Sequence, residues 1–402
     1  MKVPFMDLKQ QYAALWEEIG PELQTLFGQC AFIGGDYVRK FEREIASYLG
    51  VKHAIGCGNG TDALSLALRA CGVKPGDEVI TTPFSFFATA EAVAAVGAIP
   101  VFVDVKHSDY TMDPDKIEAA ITEKTKVILP VQIFGACCDM ERINQIARRH
   151  GLRVVEDDAQ AIGSSYKGRM AGTLGDVGCF SFYPTKNLGG CGDGGMCTTN
   201  DDDLAVILQA LREHGAGKNG AKALELLDGI RIEVETSEQT SELYDPYKYF
   251  NYLIGYNSRL DAIQACVLSI KLKRLECYNR RRTEIAKRYL DGLTKAVQCP
   301  DYSGERVPCW HQFVILSAYK EELCRYLGEH GIGSGTFYPV PLHRQKAFNA
   351  GNCQNAGASL PTAEKISAQS VCLPIYPELS DEQVDYVIET VNDFYGEREA
   401  AC

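Results

Sequence analysis

Seven short, nearly continuous apolar runs lie between residues 50 and 200, and helical patterns such as TDALSLALRACG and DMERINQIARRHG separate them. Such alternation predicts a mostly parallel β-sheet that helices cover on both faces. The ligand site of such a sheet lies at the carboxyl ends of its strands. The runs are HAIG at 53, DEVITT at 77, IPVFVDV at 99, KVILPVQI at 126, RVVE at 153, GCFSF at 178 and GGMCTT at 194.

The chain has 402 residues, which is more than a single hydrophobic core usually organises. We therefore predict a large α/β domain over residues 1–250, followed by a smaller α+β domain over residues 251–402. The segment 216–252 is polar, acidic and weakly periodic, which favours a surface insertion.

The net charge of −12 disfavours nucleic acid and anionic membranes as partners. The basic run NRRR, Asn279 to Arg282, is typical of a solvated helix face. The start of the chain has no signal-peptide core, and no apolar run approaches the roughly 18 residues of a membrane span. We expect a cytoplasmic protein that contacts neither nucleic acid nor membrane.

Sixteen cysteines are scattered along the chain without a C-x-x-C pair. A disulfide scaffold or a structural metal site would need clustered spacing. We interpret them as buried free thiols and predict no metal site.

A glycine-rich turn, GCGNGTDAL from Gly56 to Leu64, leads into a predicted helix. Backbone N–H groups at such a helix N-terminus converge on an anion, and the helix dipole also favours negative charge there. The same pattern also fits an ordinary turn in which Thr61 caps the helix.

The acidic motif RVVEDDAQAIG places carboxylates at the end of an apolar strand. A carboxylate at the end of a buried strand needs a cation, since an unpaired buried charge is costly, and Asp157 is placed to offer one. The alternative is that Glu156, Asp157 and Asp158 solvate the strand end and cap a helix.

Lys186 lies in FSFYPTKNLGGCGDGG, between an aromatic run and a glycine-rich stretch. A surface lysine before a turn is the simplest interpretation. In an apolar pocket, however, a lysine loses its proton below its free pKa of about 10.4 and becomes a nucleophile toward aldehydes. An anion site, a buried aspartate and such a lysine together match the needs of pyridoxal 5′-phosphate.

Motifs along nearly the whole chain resemble those of the DegT/DnrJ/StrS family of sugar aminotransferases. The resemblance implies the aspartate-aminotransferase-like fold, pyridoxal-phosphate fold type I, and a homodimer with shared active sites. The motifs include PFMDLKQQY, GTDALSLAL, GDEVITTPFSFFATAEAV, VVEDDAQAIGSSYKGR, FSFYPTKNLGGCGDGG, GYNSRLDAIQACVL, FYPVPLHRQ and LPIYPELSDEQV.

The resemblance also implies roles around the cofactor ring. Lys186 would bond covalently to the aldehyde and then move the proton of the reaction. Asp157 would pair with the pyridinium nitrogen, and Gln160 would lie beside the ring hydroxyl. Phe86 would stack on the ring, although a place in the core is its alternative.

The phosphate would be held by Gly60, Thr61 and Ser181, together with Asn257 of the partner subunit. For Ser181 the alternative is an ordinary strand hydroxyl, and for Asn257 a turn former. The amino donor implied by the resemblance is glutamate.

The motifs GYNSRLDAIQACVL and FYPVPLHRQ are similar to those of the branch that acts at C3 of nucleotide-linked 3-keto sugars, either (deoxy)hexoses or N-acetylated hexuronates. Phe337 replaces the histidine that relatives acting on uronic acids carry. A C4 aminotransferase and a non-catalytic regulatory protein are the alternatives. A dehydratase of this fold carries histidine in place of the lysine, so Lys186 argues against one.

Four further residues are candidates for binding the sugar nucleotide. Arg259 could bind a carboxylate or phosphate from across the dimer interface, or tie two helices together. Tyr338, His311 and His343 could line the sugar pocket, although a lone histidine is more often structural.

Overall fold

The computed structural model describes residues 1–232, 249–349, 351–355 and 357–401. Most of the second half of the predicted insertion therefore lies outside the described residues. The helices found in the described part are α1 (Leu8–Gln29), α2 (Gly35–Leu49), α3 (Gly60–Ala70), α4 (Ala88–Ala95), α5 (Met140–His150), α6 (Asp202–Arg212), α7 (Gly217–Asp228), α8 (Ala262–Leu272), α9 (Leu275–Gly292), α10 (Lys320–Glu329), α11 (Pro361–Gln369) and α12 (Asp381–Ala401).

Strands form one large sheet and two small ones. All seven predicted strands are confirmed as members of the large sheet. The strands are β1 (His53–Cys57), β2 (Glu78–Thr81), β3 (Ile99–Phe102), β4 (Thr125–Leu129), β5 (Arg153–Asp157), β6 (Ser165–Tyr166), β7 (Arg169–Met170), β8 (Val177–Ser181), β9 (Gly195–Thr199), β10 (Arg306–Val307), β11 (Phe313–Leu316) and β12 (Ser370–Leu373).

The large sheet has the order β1-β9-β8-β5-β4-β2-β3. Only β9 runs antiparallel to its neighbours β1 and β8, so the prediction of a mostly parallel sheet is confirmed. Strands β5 and β8 are parallel neighbours, with Asp157 opposite Cys179. Their carboxyl ends therefore meet at one edge, where Asp157 and Ser181 are the last residues.

Helices cover both faces of the large sheet. Along β4, Val127 and Leu129 join the core that contains α3, whereas Ile128 joins the core that contains α5. This alternation explains the continuous apolar run, because successive side chains of a strand point to opposite faces and both faces are buried.

A separate core forms in the C-terminal part of the chain. The antiparallel pair β11 and β12 contributes Phe313 and Leu373, and helices α10 and α12 contribute Leu323 and Val387. This agrees with an α+β unit, and its boundary near residue 250 stays a prediction. None of the described helices is long and apolar enough to cross a membrane.

Helix α7 is an element that the weak periodicity of the insertion did not indicate. It packs on α6, and its buried residues Gly220, Ala221 and Ala223 are small. Small residues give little hydrophobic periodicity, which is why the sequence pattern missed this helix.

Candidate active site

Lys186 lies in the loop that follows β8. Its backbone N–H donates to Tyr183 O at 2.8 Å. The side chain is half-buried and lines a small cavity together with Asp7, Arg282 and Glu378. Burial lowers the pKa of the Lys186 amine to about 8, while the Asp157 carboxylate acts to raise it. The amine therefore loses its proton more readily than that of a free lysine.

Asp157 is the buried last residue of β5. Thr89 Oγ1 donates to its Oδ2 at 2.7 Å, and Ala159 N donates to its Oδ1 at 3.2 Å. Burial raises the pKa of Asp157, whereas these two hydrogen bonds and Lys186 oppose the shift. A buried carboxylate held in one orientation is suited to a cationic ring nitrogen.

Gln160 and Tyr338, predicted for cofactor and substrate respectively, contact each other. Gln160 Nε2 donates to Tyr338 Oη at 2.7 Å, and Gln160 Oε1 accepts from Phe134 N at 2.7 Å. The Tyr338 ring is nearly parallel to that of Phe134, with centroids 6.4 Å apart. The ring centroids of Phe86 and Tyr338 are 6.2 Å apart, and Phe86 is 59% exposed.

The N-terminus of α3 lies against the carboxyl end of β8. Asn59, rather than the predicted Thr61, caps this helix, because its Oδ1 accepts from Asp62 N at 2.8 Å. A Cβ added at Gly60 would lie 2.7 Å from Ser181 Cβ, so only glycine allows this approach. A helix N-terminus favours negative charge, so this end of α3, beside the Ser181 hydroxyl, is suited to an anion.

The loop that contains Asn257 and Arg259 is hydrogen-bonded to the N-terminal end of α3 but borders a cavity other than that of Lys186. Ser258 Oγ donates to Asp62 Oδ2 at 2.6 Å and accepts from Gly58 N at 2.9 Å. Asn257 is exposed, and Arg259 lines a surface cavity of about 1090 Å³ that does not include Lys186.

His311 contacts the residue next to Lys186. Asn187 Nδ2 donates to Asn279 Oδ1 and to Cys309 O, at 2.8 and 2.9 Å. Asn187 Oδ1 therefore accepts from His311 Nδ1, at 3.1 Å. Burial, together with the nearby Lys186 and Arg282 cations, lowers the pKa of His311 well below its ordinary value. His311 is a neutral imidazole that carries its proton on Nδ1.

His343 is fully enclosed instead of facing a cavity. Its Nε2 lies 2.9 Å from Glu364 Oε1, which also accepts from Arg344 Nη2 at 2.8 Å. These hydrogen bonds lower the pKa of Glu364 to about 2. As placed, His343 joins two segments of the C-terminal region, and its predicted role in sugar binding stays a prediction.

Comparison with known proteins identifies the family. The family model of the DegT/DnrJ/EryC1/StrS aminotransferase family matches residues 15–392. The chain is 44% identical over 399 residues to the "pleiotropic regulatory protein" of Geobacillus stearothermophilus, covering 98% of this chain and 99% of that protein. The chain belongs to this aminotransferase family.

A second relative from the DegT family is the UDP-N-acetyl-3-dehydro-α-D-glucosamine 3-aminotransferase of Acidithiobacillus ferrooxidans. It is 41% identical over 383 residues and covers 95% of each chain.

Solved structures of DegT-family members match over nearly the whole chain. The S. venezuelae protein DesV, solved in complex with a ketimine intermediate, has a TM-score of 0.87 at 39% identity and covers 98% of both chains. Bacillus subtilis NtdA, solved with bound cofactor PMP, has a TM-score of 0.84 at 33% identity, covering 97% of this chain and 84% of that one.

These comparisons confirm the predicted family, the fold-type-I architecture and the class of pyridoxal-phosphate-dependent sugar aminotransferases. The chain's own residues fit that cofactor. Gly60 and Ser181 are in close contact at the N-terminus of α3, where a phosphate would be favoured, Asp157 is a buried carboxyl group, and the Lys186 amine has a lowered pKa. The residues from which the sequence indicated the cofactor therefore lie together at one edge of the sheet.

Sequence reasoning missed Thr89 and misread Arg282. Thr89 shows no signal in the sequence that would mark it as a partner of Asp157. Arg282 was expected on a solvated face, but it is 3% exposed and its Nη1 donates to the backbone oxygens of Ile375, Trp310 and His311. The prediction of buried thiols is also wrong for Cys30, Cys191 and Cys277, which are exposed.

Proposed function

We propose that this aminotransferase moves the amino group of glutamate to C3 of a nucleotide-linked 3-keto hexose. The observation that carries the chemistry is the pairing of Asp157 with Lys186. The Asp157 carboxylate is buried and is oriented by a hydrogen bond from Thr89. It lies close enough to the half-buried Lys186 amine for each group to perturb the pKa of the other. The choice of C3 is supported by the relative from Acidithiobacillus ferrooxidans, which is named as a 3-aminotransferase.

Bound pyridoxal phosphate supplies a cationic ring that stabilises negative charge on a carbon that loses its proton. The Lys186 amine, with a pKa of about 8, is suited to accept that proton and to return it, as a general base and then an acid. Asp157 holds negative charge at the ring end of the site, and Thr89 fixes the orientation of its carboxylate. Gln160 fixes Tyr338 beside Phe86, where the pair borders the space for the ring.

The sugar that we favour is a neutral hexose or deoxyhexose rather than an N-acetylated hexuronate. Phe337 is an apolar residue whose ring packs 6.0 Å from that of Phe5. It therefore offers no cation or hydrogen bond to a sugar carboxylate. The hexuronate stays an outcome of the test described below.

We also propose a homodimer in which each site is completed by Asn257 and Arg259 of the partner subunit. Within one chain Asn257 is exposed, and Arg259 borders a cavity other than that of Lys186. Large apolar side chains are exposed nearby and elsewhere on the surface, which is typical of a surface that a second subunit covers. Examples are Ile254 at 84%, Ile33 at 60%, Phe86 at 59% and Tyr183 at 53%.

The cytoplasm is the proposed location. The fifteen cysteines within the described part of the chain are free thiols. Free thiols, several of them exposed, are stable in a reducing compartment.

The test is a panel of nucleotide-linked 3-keto and 4-keto sugars, including a 3-keto hexuronate, with glutamate as donor. Product mass and NMR identify the aminated carbon. We expect amination at C3 of a neutral sugar. Amination at C4 or of the hexuronate alone would contradict the proposed substrate. No amination of any sugar would instead favour a regulatory protein, as the name of the Geobacillus relative suggests for that protein.

Subunit mixing tests the shared site. Lys186→Ala and Arg259→Ala proteins should each be weakly active, and unfolding and refolding them together at equal amounts should restore about a quarter of the wild-type activity, since one site of each mixed dimer is intact. A mixture that is no more active than its components would show that Lys186 and Arg259 act within the same chain or not together.

A further inference from the structure

The glycine loop, residues Gly189 to Cys191, follows Lys186 and is held by side chains from two helices. Lys271 of α8 donates from Nζ to Gly189 O at 2.6 Å. Tyr12 of α1 donates from its hydroxyl to Gly190 O, also at 2.6 Å. Gln264 of α8 accepts from Cys191 N through its Oε1 at 2.8 Å. Three successive residues are thus each bound by a side chain.

The loop is folded tightly enough to transmit a displacement to Lys186. A Cβ added at Gly189 would lie 2.2 Å from Pro184 O. Gly190 N donates to Phe182 O, and Lys186 N donates to Tyr183 O, both at 2.8 Å. Residues 182–190 therefore form a compact turn that carries Lys186. The side chains of Tyr12, Gln264 and Lys271 are hydrogen-bonded to its C-terminal end.

Lys271 is unusual because lysine side chains are rarely fully buried. It is 1% exposed, and its Nζ lies 4.8 Å from the centre of the Tyr12 ring. Among the residues that the structure describes, no carboxylate oxygen lies within 4.0 Å of Lys271 Nζ. Burial lowers its pKa to about 8, while the nearby Glu378 carboxylate acts to raise it. A buried cation without a carboxylate in direct contact is costly, and an apolar side chain of similar volume would avoid that cost.

We propose that Lys271 and Tyr12 are positioning residues, which hold the glycine loop and thereby fix the Lys186 amine relative to Asp157. The inference rests on the proposed function, because it assigns Lys271 and Tyr12 a role in the chemistry of Lys186. It predicts that the loss of either hydrogen bond changes the protonation behaviour of Lys186 more than it changes folding.

The test compares Lys271→Met and Tyr12→Phe with wild type. Lys271→Met removes the donor and the charge but keeps the apolar stem, and Tyr12→Phe removes only the hydroxyl. The matched control is Lys320→Met, since Lys320 also donates from Nζ to a backbone oxygen, that of Ser367 at 2.8 Å, but lies in the C-terminal region.

The first readout is the pH midpoint of the absorbance band of bound pyridoxal phosphate. We expect it to move by about half a pH unit or more in both variants but not in Lys320→Met. The second is kinetic: kcat should fall about tenfold, while KM for each substrate stays within about twofold. The third is the unfolding temperature of the apoprotein, which should fall no further in Lys271→Met than in Lys320→Met.

An unchanged pH midpoint in both test variants would overturn the positioning role, as would a fall in kcat that merely follows the loss of stability. If Lys271→Met does not fold, Tyr12→Phe decides the question. A wild-type protein that shows no absorbance band with pyridoxal phosphate would overturn the proposed function and this inference together. A band whose midpoint does not move in the variants would overturn the inference alone.

Discussion

Two lysines, Lys186 and Lys271, have a lowered pKa in common but differ in their surroundings. Burial lowers the pKa of each to about 8. Lys186 lines a cavity and is electrostatically coupled to the buried carboxylate of Asp157. Lys271 of α8 is buried, donates a hydrogen bond to Gly189 O, and has its Nζ over the ring of Tyr12 of α1.

The difference teaches that a lowered pKa does not by itself mark a nucleophile. Both amines have a lowered pKa, but it is Lys186 that lies close to a buried carboxylate suited to the cofactor. We expect chemistry at Lys186 to depend on Asp157, whereas Lys271 acts through the backbone of the glycine loop.

The largest expected effect is that of Lys186→Ala. Because Lys186 is the lysine whose charge acts on Asp157 and whose amine would accept the proton, we expect turnover to fall by about 1000-fold or more. The control is Lys167→Ala, which removes an exposed lysine paired with Glu141. Turnover near wild type in Lys186→Ala would remove the distinction between the two lysines.

A smaller loss is expected for Asp157→Asn, about 100-fold in turnover, because a cationic ring nitrogen would lose its buried carboxylate. Asp158→Asn is the matched control. Asp158 is equally buried at the same strand end, but neither of its side-chain oxygens has a hydrogen-bond partner among the described residues. Equal losses in the two variants would show that burial alone, and not contact with the cofactor, gives Asp157 its importance.

The smallest effect in the series is that of Thr89→Val, which removes the hydroxyl bonded to Asp157. One hydrogen bond to a charged group predicts a loss of about tenfold in turnover. Thr81→Val, which removes a buried hydroxyl bonded to Leu129 O, controls for stability. If both valine variants lose activity equally, the orientation of Asp157 by Thr89 does not matter to the reaction.

The sequence predicted the sheet and the inner part of the site for a common physical reason. Buried parallel strands are continuous apolar runs, so their ends are visible in the sequence. Asp157 and Ser181 mark such ends, and the turn before Gly60 marks another. Because these carboxyl ends meet at one edge, the residue types at the strand ends indicated the cofactor.

The burial of Arg282 and Lys271 depends on which side of a helix faces the core. The pattern of a charged segment does not predict that side. Arg282 and Lys271 belong to helical stretches in which a basic residue normally faces solvent. Their burial follows from backbone oxygens that tertiary packing brings from distant segments. The role of Thr89 likewise depends on a contact between residues 68 positions apart.

The measurement that tests the central claim most directly is reductive trapping. The protein is incubated with pyridoxal phosphate at pH 8, near the lowered pKa of Lys186, and reduced with borohydride. Peptide mass spectrometry then locates the modified residue. The account predicts modification at Lys186 in nearly every chain and an unmodified Lys271. Modification at Lys271, or spread over surface lysines with Lys186 left free, would contradict it.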